Sequence, residues 1–96
     1  MPVYLVTWDQ NKEKPNYAKA RDAFIALLDK FESKKDTGLD SVRFVSTAWD
    51  ASQIHDYLRK AQDDNDRLFV TRLHKGSAER NGWLNKATWN WIRERE

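Results

Sequence analysis

Cysteine is absent from this chain, and its 96 residues include only two prolines and three glycines. Without cysteine the protein has no disulfide framework, no thiolate zinc site and no cysteine nucleophile. The absence fits a reducing compartment, so we expect the protein in the cytoplasm. Because 40% of the residues are hydrophobic and 33% are charged, we expect a folded rather than a disordered chain.

Long apolar runs are also missing. Residues 1–6 read MPVYLV and are followed by polar residues, with no basic leader before them. A signal peptide needs a longer apolar region, and a membrane-spanning helix needs about 20 apolar residues. We therefore expect neither a signal peptide nor a membrane partner.

The length leaves room for one domain over residues 1–96, with a core at about 3–73 and an aromatic C-terminal extension at 83–95. Its formal charge is +2, from 17 basic and 15 acidic residues. That charge is too small to indicate a nucleic-acid partner, because such proteins are marked by a clustered basic face that a net count does not reveal.

Hydrophobic periodicity predicts alternating strands and helices. The clear elements are a strand at 3–8, a helix from about 17 to 31, a strand at 41–47, a helix beginning at Asp50, and a strand at 68–73. Asn16 is the predicted cap of the first helix, and Asp50 with Gln53 has the spacing of a capping box at the second. A further, weak strand is expected between Phe31 and Leu39.

The C-terminal extension is predicted to form a short helix over 83–92, with Leu84, Ala87, Trp91 and Thr88 on its apolar face. Gly38, in the turn before the strand at 41–47, is able to take a positive φ. The element order predicts an α+β fold of the ferredoxin-like, split βαβ kind (β-α-β-β-α-β) with a short C-terminal helix.

Three segments carry a resemblance to a known family. They are YLVTWD at 4–9, LDSVRFV at 39–45 and NDRLFV at 65–70. With the helices between them, they resemble the family of CRISPR-associated protein two and its relative, virulence-associated protein D, over about residues 3–73. The tail after Leu73 departs from that family, because a tryptophan-rich helix is predicted where many members have an additional swapped strand.

The resemblance implies a ferredoxin-like fold, a homodimer joined through its sheets, and nucleic acid as a partner. Some members are described as metal-dependent endonucleases, and others are structural partners of an integrase. Asp9 stands where the nuclease members carry their metal-binding aspartate, so the resemblance implies that Asp9 is catalytic and binds Mg²⁺. The alternative is that Asp9 only accepts hydrogen bonds from amides of the following loop.

Basic residues near two predicted loops form a candidate nucleic-acid surface. The set consists of Lys12, Lys14, Lys34, Lys35, Arg43 and Arg72. If the fold brings the loops together, these side chains can follow a phosphate backbone, with an affinity that falls as salt rises. The alternative is an ordinary solvated surface, because Glu13, Glu32 and Asp36 are interspersed among them.

The five tryptophans suggest a different function. Trp89 falls off the predicted stripe of Leu84, Ala87 and Trp91, so Trp89 and Trp91 are candidate interface residues. Two functions therefore remain open. The first is a homodimeric nucleic-acid-binding protein with metal-dependent endonuclease activity. The second is a non-catalytic protein-interaction module, such as an accessory or inhibitory protein of a mobile element, that binds a protein partner through its tryptophan-rich segment.

Sheet coverage provides a separate argument for a homodimer. Two helices cover one face of the predicted sheet, yet the strands at Val3 and Leu68 are apolar on both faces. The uncovered face then meets a second copy of the chain. The alternative is that the C-terminal helix covers this face within one chain.

Overall fold

The fold is a four-stranded antiparallel sheet with helices on both faces, seen in a computed structural model that describes residues 1–11, 15–75 and 80–96. The elements are β1 (Val3–Asp9), α1 (Tyr17–Leu28), β2 (Glu32–Lys34), β3 (Val42–Ser46), α2 (Ala51–Leu58) with a 3₁₀ turn at Arg59–Ala61, β4 (Arg67–Leu73) and α3 (Lys86–Arg95). The strand order is β2-β3-β1-β4. This α+β architecture is compatible with a ferredoxin-like fold, and the weak strand predicted between Phe31 and Leu39 is confirmed as β2.

Strand β1 lies in the middle of the sheet and is covered on both faces, as its apolar sequence predicts. Tyr4, Val6 and Trp8 point into one hydrophobic cluster. Val3 and Leu5 contribute to a second cluster on the opposite face. This division follows from the period of two in a β-strand.

Helices α1 and α2 cover the first face. Their apolar stripes bury Phe24, Leu28, Ile54 and Leu58 completely. The ring of Phe24 lies 5.0 Å from that of Trp8. Each helix is part of a crossover connection, and both connections lie on the same side of the sheet. The apolar stripes of the two helices therefore meet in one core.

The two predicted helix caps have different outcomes. The capping box of α2 is confirmed, because the Gln53 amide donates to Asp50 Oδ1 at 2.8 Å and the Asp50 amide donates to Gln53 Oε1 at 2.9 Å. The side-chain cap predicted for α1 is wrong. Asn16 precedes the helix with ψ near 27°, and its side chain makes no capping hydrogen bond. At the helix start, Asn16 instead accepts the Ala20 amide through its backbone carbonyl.

Helix α3 packs against the second face of the sheet. Ile92 is buried in a cluster with Val3 and Phe44. The predicted start at residue 83 is wrong, since the helix begins at Lys86. The predicted stripe is also shifted, because Thr88 and Ile92 are buried whereas Ala87 is exposed.

The position of α3 changes the argument for a homodimer. It covers the part of the second face around Val3 and Phe44, which is the intrachain alternative stated above. Phe69, which pairs with Thr7 farther along the same face, is 61% exposed. The dimer stays a prediction, and the uncovered-face argument now applies only to this open half.

Crossing a bilayer would require a long apolar helix, and none occurs among the residues that the structure describes.

Candidate functional site

The connection between β1 and α1 and the connection between β2 and β3 contain most of the candidate site residues, and both start at the same edge of the sheet. We call it the loop edge, where β1 and β2 end and β3 and β4 begin. The Trp8 amide and the Thr7 hydroxyl both donate to the Ser41 carbonyl, at 3.2 and 3.0 Å. Ser41 has a φ of 54°, so the residue of this connection with a positive φ is Ser41, and Gly38 does not use the freedom that glycine offers. The end of β1 and the start of β3 are thereby held together.

Asp9 is the exposed last residue of β1 and pairs in register with Arg67. A shallow cleft around it is lined by Thr7, Leu68 and Phe69, none of which is a carboxylate. No group of three or more histidine, aspartate or glutamate side chains suited to a metal occurs in residues 1–11, 15–75 and 80–96. Because Mg²⁺ prefers several oxygen ligands and Arg67 brings a positive charge nearby, the described part of one chain does not fit a magnesium centre. Catalysis and metal binding by Asp9 stay predictions that require carboxylates from elsewhere.

The four predicted cations that the structure describes do not all lie together. Arg43 is buried, and its guanidinium donates to Asp29 at 2.9 Å and to the Ser33 hydroxyl at 3.0 Å. This ion pair fixes Arg43 on the face of the sheet that α1 and α2 cover. Arg72 is exposed on the outer strand β4, which is separated from β2 by two strands.

The remaining predicted cations belong to the two connections of the loop edge. Lys34 ends β2 and is half-buried, whereas Lys35 directly follows it and is exposed. Lys12 and Lys14 lie outside the described residues. The described residues therefore place Lys34 and Lys35 at the loop edge and Arg43 in the same pocket lining as Lys35, whereas Arg72 lies near the opposite end of the strands.

A polar pocket of about 210 Å³ opens at the loop edge between α1 and the β2–β3 connection. Its lining consists of Trp8, Tyr17, Arg21, Ile25, Lys35, Asp40, Ser41, Val42 and Arg43. Lys35 and Arg43 belong to the predicted set, but Arg21 was missed. Its spacing of four from Tyr17 places both on one side of α1, a signal that the sequence does contain.

The acidic turn before β4 has a structural role at the same edge. Asp66 is buried and accepts the Asn11 amide at 2.8 Å and the Asp63 amide at 3.0 Å. These bonds link the turn between α2 and β4 to the residues that follow β1. The carboxylate therefore holds two connections together.

Asp36, in the β2–β3 connection, anchors the start of α3. It is buried and accepts the Asn85 amide and the Thr88 hydroxyl, both at 2.8 Å, and the Gly38 amide at 2.8 Å. Hydrogen bonds from the Asn85 amide, the Gly38 amide and the Thr88 hydroxyl lower the pKa of Asp36 from its ordinary 3.8, while burial opposes the shift. The nearby charge of Lys34 also lowers this pKa slightly. The charged carboxylate thus fixes the chain that leads into α3.

This geometry predicts a pH dependence of stability. A lowered pKa in the folded state means that ionised Asp36 stabilises the fold above the pKa of the unfolded chain, and that this contribution is lost as pH falls through the folded pKa. Asp36→Asn should therefore be less stable than the wild type at neutral pH, with a gap that narrows in acid below 3.8. Thermal denaturation followed by circular dichroism at several pH values measures the gap. A gap that stays constant into strong acid would contradict this role for Asp36.

An apolar groove of about 420 Å³ lies between the sheet and the segment that carries α3. We call it the α3 groove, and its lining consists of Leu5, Leu39, Val42, Phe44, Leu73, Arg80, Asn81, Gly82, Trp83, Leu84, Trp89 and Ile92. Among the described residues of this lining, Arg80 is the charged one, and it forms an ion pair with Glu96. Trp83 stands at the groove with a relative exposure of 101%.

The predicted interface tryptophans are only partly available. Trp89 and Trp91 are half-buried against the second cluster, and the guanidinium of Arg95 lies 4.4 Å from the Trp91 ring centre. The fully exposed aromatic side chain is instead Trp83. Asn85 is a residue type typical of the position before a helix, so the sequence contained a signal that Trp83 precedes α3.

The comparisons with known proteins add no assignment. No protein-family model matches the chain, and no curated protein matches it at a significant level.

Proposed function

We propose that this chain is a ferredoxin-like, non-catalytic protein-interaction module that binds through the α3 groove, and that its first partner is a second copy of itself. The strand order β2-β3-β1-β4 and the antiparallel pairing support the ferredoxin-like topology. The observation that carries the function is the fully exposed Trp83 beside an apolar groove. Exposed tryptophans beside apolar recesses are typical of binding hot spots.

The character of the groove favours a protein over a nucleic acid. Its lining is apolar and aromatic, and the charge of Arg80 is neutralised by Glu96. Interface cores between proteins are depleted of charge and enriched in aromatic residues, whereas nucleic-acid surfaces are rich in unpaired cations. The α3 groove therefore suits apolar side chains of a protein partner.

A second copy fits because one surface offers both a projecting group and a recess. A two-fold dimer uses the same patch on both subunits, so this patch must be complementary to itself. Trp83 of each chain can enter the groove of the other. The open half of the second face extends the same surface, since Phe69 and Leu73 lie on one side of β4 and Leu73 lines the groove.

Trp83→Ala should weaken self-association. Truncating a hot-spot tryptophan costs about 2 kcal/mol or more of association free energy, and the symmetric interface contains this residue twice. We expect the wild type to form a reversible dimer and the variant to be a monomer at the same concentration. Sedimentation equilibrium measures both species, and circular dichroism checks that the fold is unchanged.

Trp49→Ala is the matched control. Trp49 is 40% exposed, but it lies on the side of the sheet that α1 and α2 cover, where its ring makes edge contacts with Phe31 and Tyr57. This variant should dimerise like the wild type. A wild type that is monomeric at every concentration, or a Trp83→Ala variant that still dimerises, would refute self-association through the groove.

A second candidate function is nucleic-acid binding at the loop edge, as the family resemblance implies. One observation favours it, because Tyr17 and Arg21 of α1 line the same pocket as Lys35 and Ser41 of the β2–β3 connection. The start of α1 and the β2–β3 connection therefore adjoin one another. Endonuclease activity is not part of this candidate, since no group of three or more metal-ligating side chains occurs among the described residues.

A further inference from the structure

We propose that the pocket at the loop edge binds a single phosphate group. This site does not depend on the proposed protein-binding function. It extends the second candidate function, nucleic-acid binding at the loop edge, by naming the chemical group that is bound there. The site includes Arg21 and Tyr17, which the sequence prediction left out.

The first support is the charge of the lining. Arg21, Lys35 and Arg43 line the pocket together with one carboxylate, Asp40. Arg21 and Lys35 are exposed, and no ion-pair partner of either occurs in the described part of the chain. Arg43 is held in place by Asp29. The pocket therefore has a net positive charge and two cations that are free to bind an anion.

The second support is a fixed guanidinium. Arg43 is 9% exposed, and its guanidinium is held by hydrogen bonds to Asp29 and Ser33. Because its position is set before a ligand binds, its positive charge at the pocket wall needs no further ordering. A phosphate oxygen is an acceptor that matches a guanidinium in charge and geometry.

The third support is the size and polarity of the pocket. Its volume of about 210 Å³ corresponds to roughly seven water molecules at about 30 Å³ each. That space accommodates a phosphate group but does not enclose a whole nucleotide. Tyr17 and Ser41 also line the pocket, and both residue types carry a hydroxyl that can donate a hydrogen bond. The chemistry is the same for free phosphate and for a phosphate at the end of an oligonucleotide, so the experiment must separate these sources.

The test uses the full chain, with inorganic phosphate, a 5′-phosphorylated oligonucleotide and the same oligonucleotide without its terminal phosphate as probes. Isothermal titration calorimetry measures each affinity. The double variant Arg21→Gln and Lys35→Gln should weaken phosphate binding by about tenfold or more, because it removes two charge-assisted hydrogen bonds. Both side chains are exposed, so circular dichroism should show an intact fold.

The matched control is the double variant Lys19→Gln and Arg72→Gln. It lowers the net charge by the same amount, but neither residue lines the pocket, and Arg72 is near the opposite end of the strands from the loop edge. Its phosphate affinity should fall much less than that of the first double variant, because neither residue lines the pocket and the charges of both are exposed and partly screened by salt. Equal losses in both double variants would overturn the pocket in favour of general electrostatic attraction.

The probes distinguish the remaining outcomes. Binding of inorganic phosphate and of the 5′-phosphorylated oligonucleotide, in competition with each other, supports a site for a terminal phosphate on nucleic acid. Binding of inorganic phosphate alone supports the pocket and removes nucleic acid as its ligand. Equal binding of both oligonucleotides with no competition from phosphate, or no binding of any probe, would overturn the proposal.

Discussion

Phe24→Ala should lower the free energy of unfolding by about 3–5 kcal/mol, the usual cost of truncating a buried phenylalanine. Phe24 is fully buried, and its ring lies 5.0 Å from that of Trp8 on the central strand. The substitution removes the transfer free energy of the ring and leaves a cavity between α1 and the sheet. Ile54→Ala, at the equivalent buried position of α2, should cost about 2–5 kcal/mol. Urea denaturation followed by circular dichroism measures both losses.

Phe69→Ala provides the matched control for this prediction. The same side chain is removed, but at a position of β4 that is 61% exposed. We expect a loss below about 1 kcal/mol there, measured at a concentration where the protein is monomeric. A loss below about 0.5 kcal/mol at Phe24 would show that the apolar stripe of α1 does not face the core.

The second large effect is expected on the other face of the sheet. Ile92→Ala should destabilise the protein by about 2–5 kcal/mol, because Ile92 is 1% exposed and joins α3 to Val3 and Phe44. A helix of ten residues is marginal on its own, so α3 depends on this contact and on the anchoring at Asp36. We therefore expect the amides of α3 to lose protection from hydrogen exchange in the variant.

Hydrogen exchange by mass spectrometry, together with urea denaturation, measures this effect. Asn90→Ala is the control on the same helix, since Asn90 is exposed. Its effect should stay within about 0.5 kcal/mol of the wild type. Unchanged protection of α3 in Ile92→Ala would contradict the assignment of Ile92 as the main contact between α3 and the sheet.

The candidate sites were only partly predictable for a physical reason. Lys35 was identified because a charged residue in a polar turn is visible in the sequence. The ion pair between Arg43 and Asp29 was not predicted, since the two residues lie on different elements, 14 residues apart. Trp83 was overlooked in favour of Trp89, because which tryptophan stays exposed depends on where α3 begins and on what it packs against.

The sequence by itself determined the features that depend on residues within one or two helical turns or within one strand. These include the stripe around Phe24, the Asp50–Gln53 capping box and the two-sided apolar pattern of β1. Such signals are local, because helix and strand periodicities repeat within a few residues.

Only the tertiary structure decided where α3 docks and which side chains it leaves exposed. The backbone amide of Asn85 donates to Asp36, 49 residues earlier in the chain, and Ile92 packs between residues of β1 and β3. No local pattern encodes such a pairing, because it depends on how the folded sheet brings distant segments together. The α3 groove and the loop-edge pocket exist only as a result of these long-range contacts.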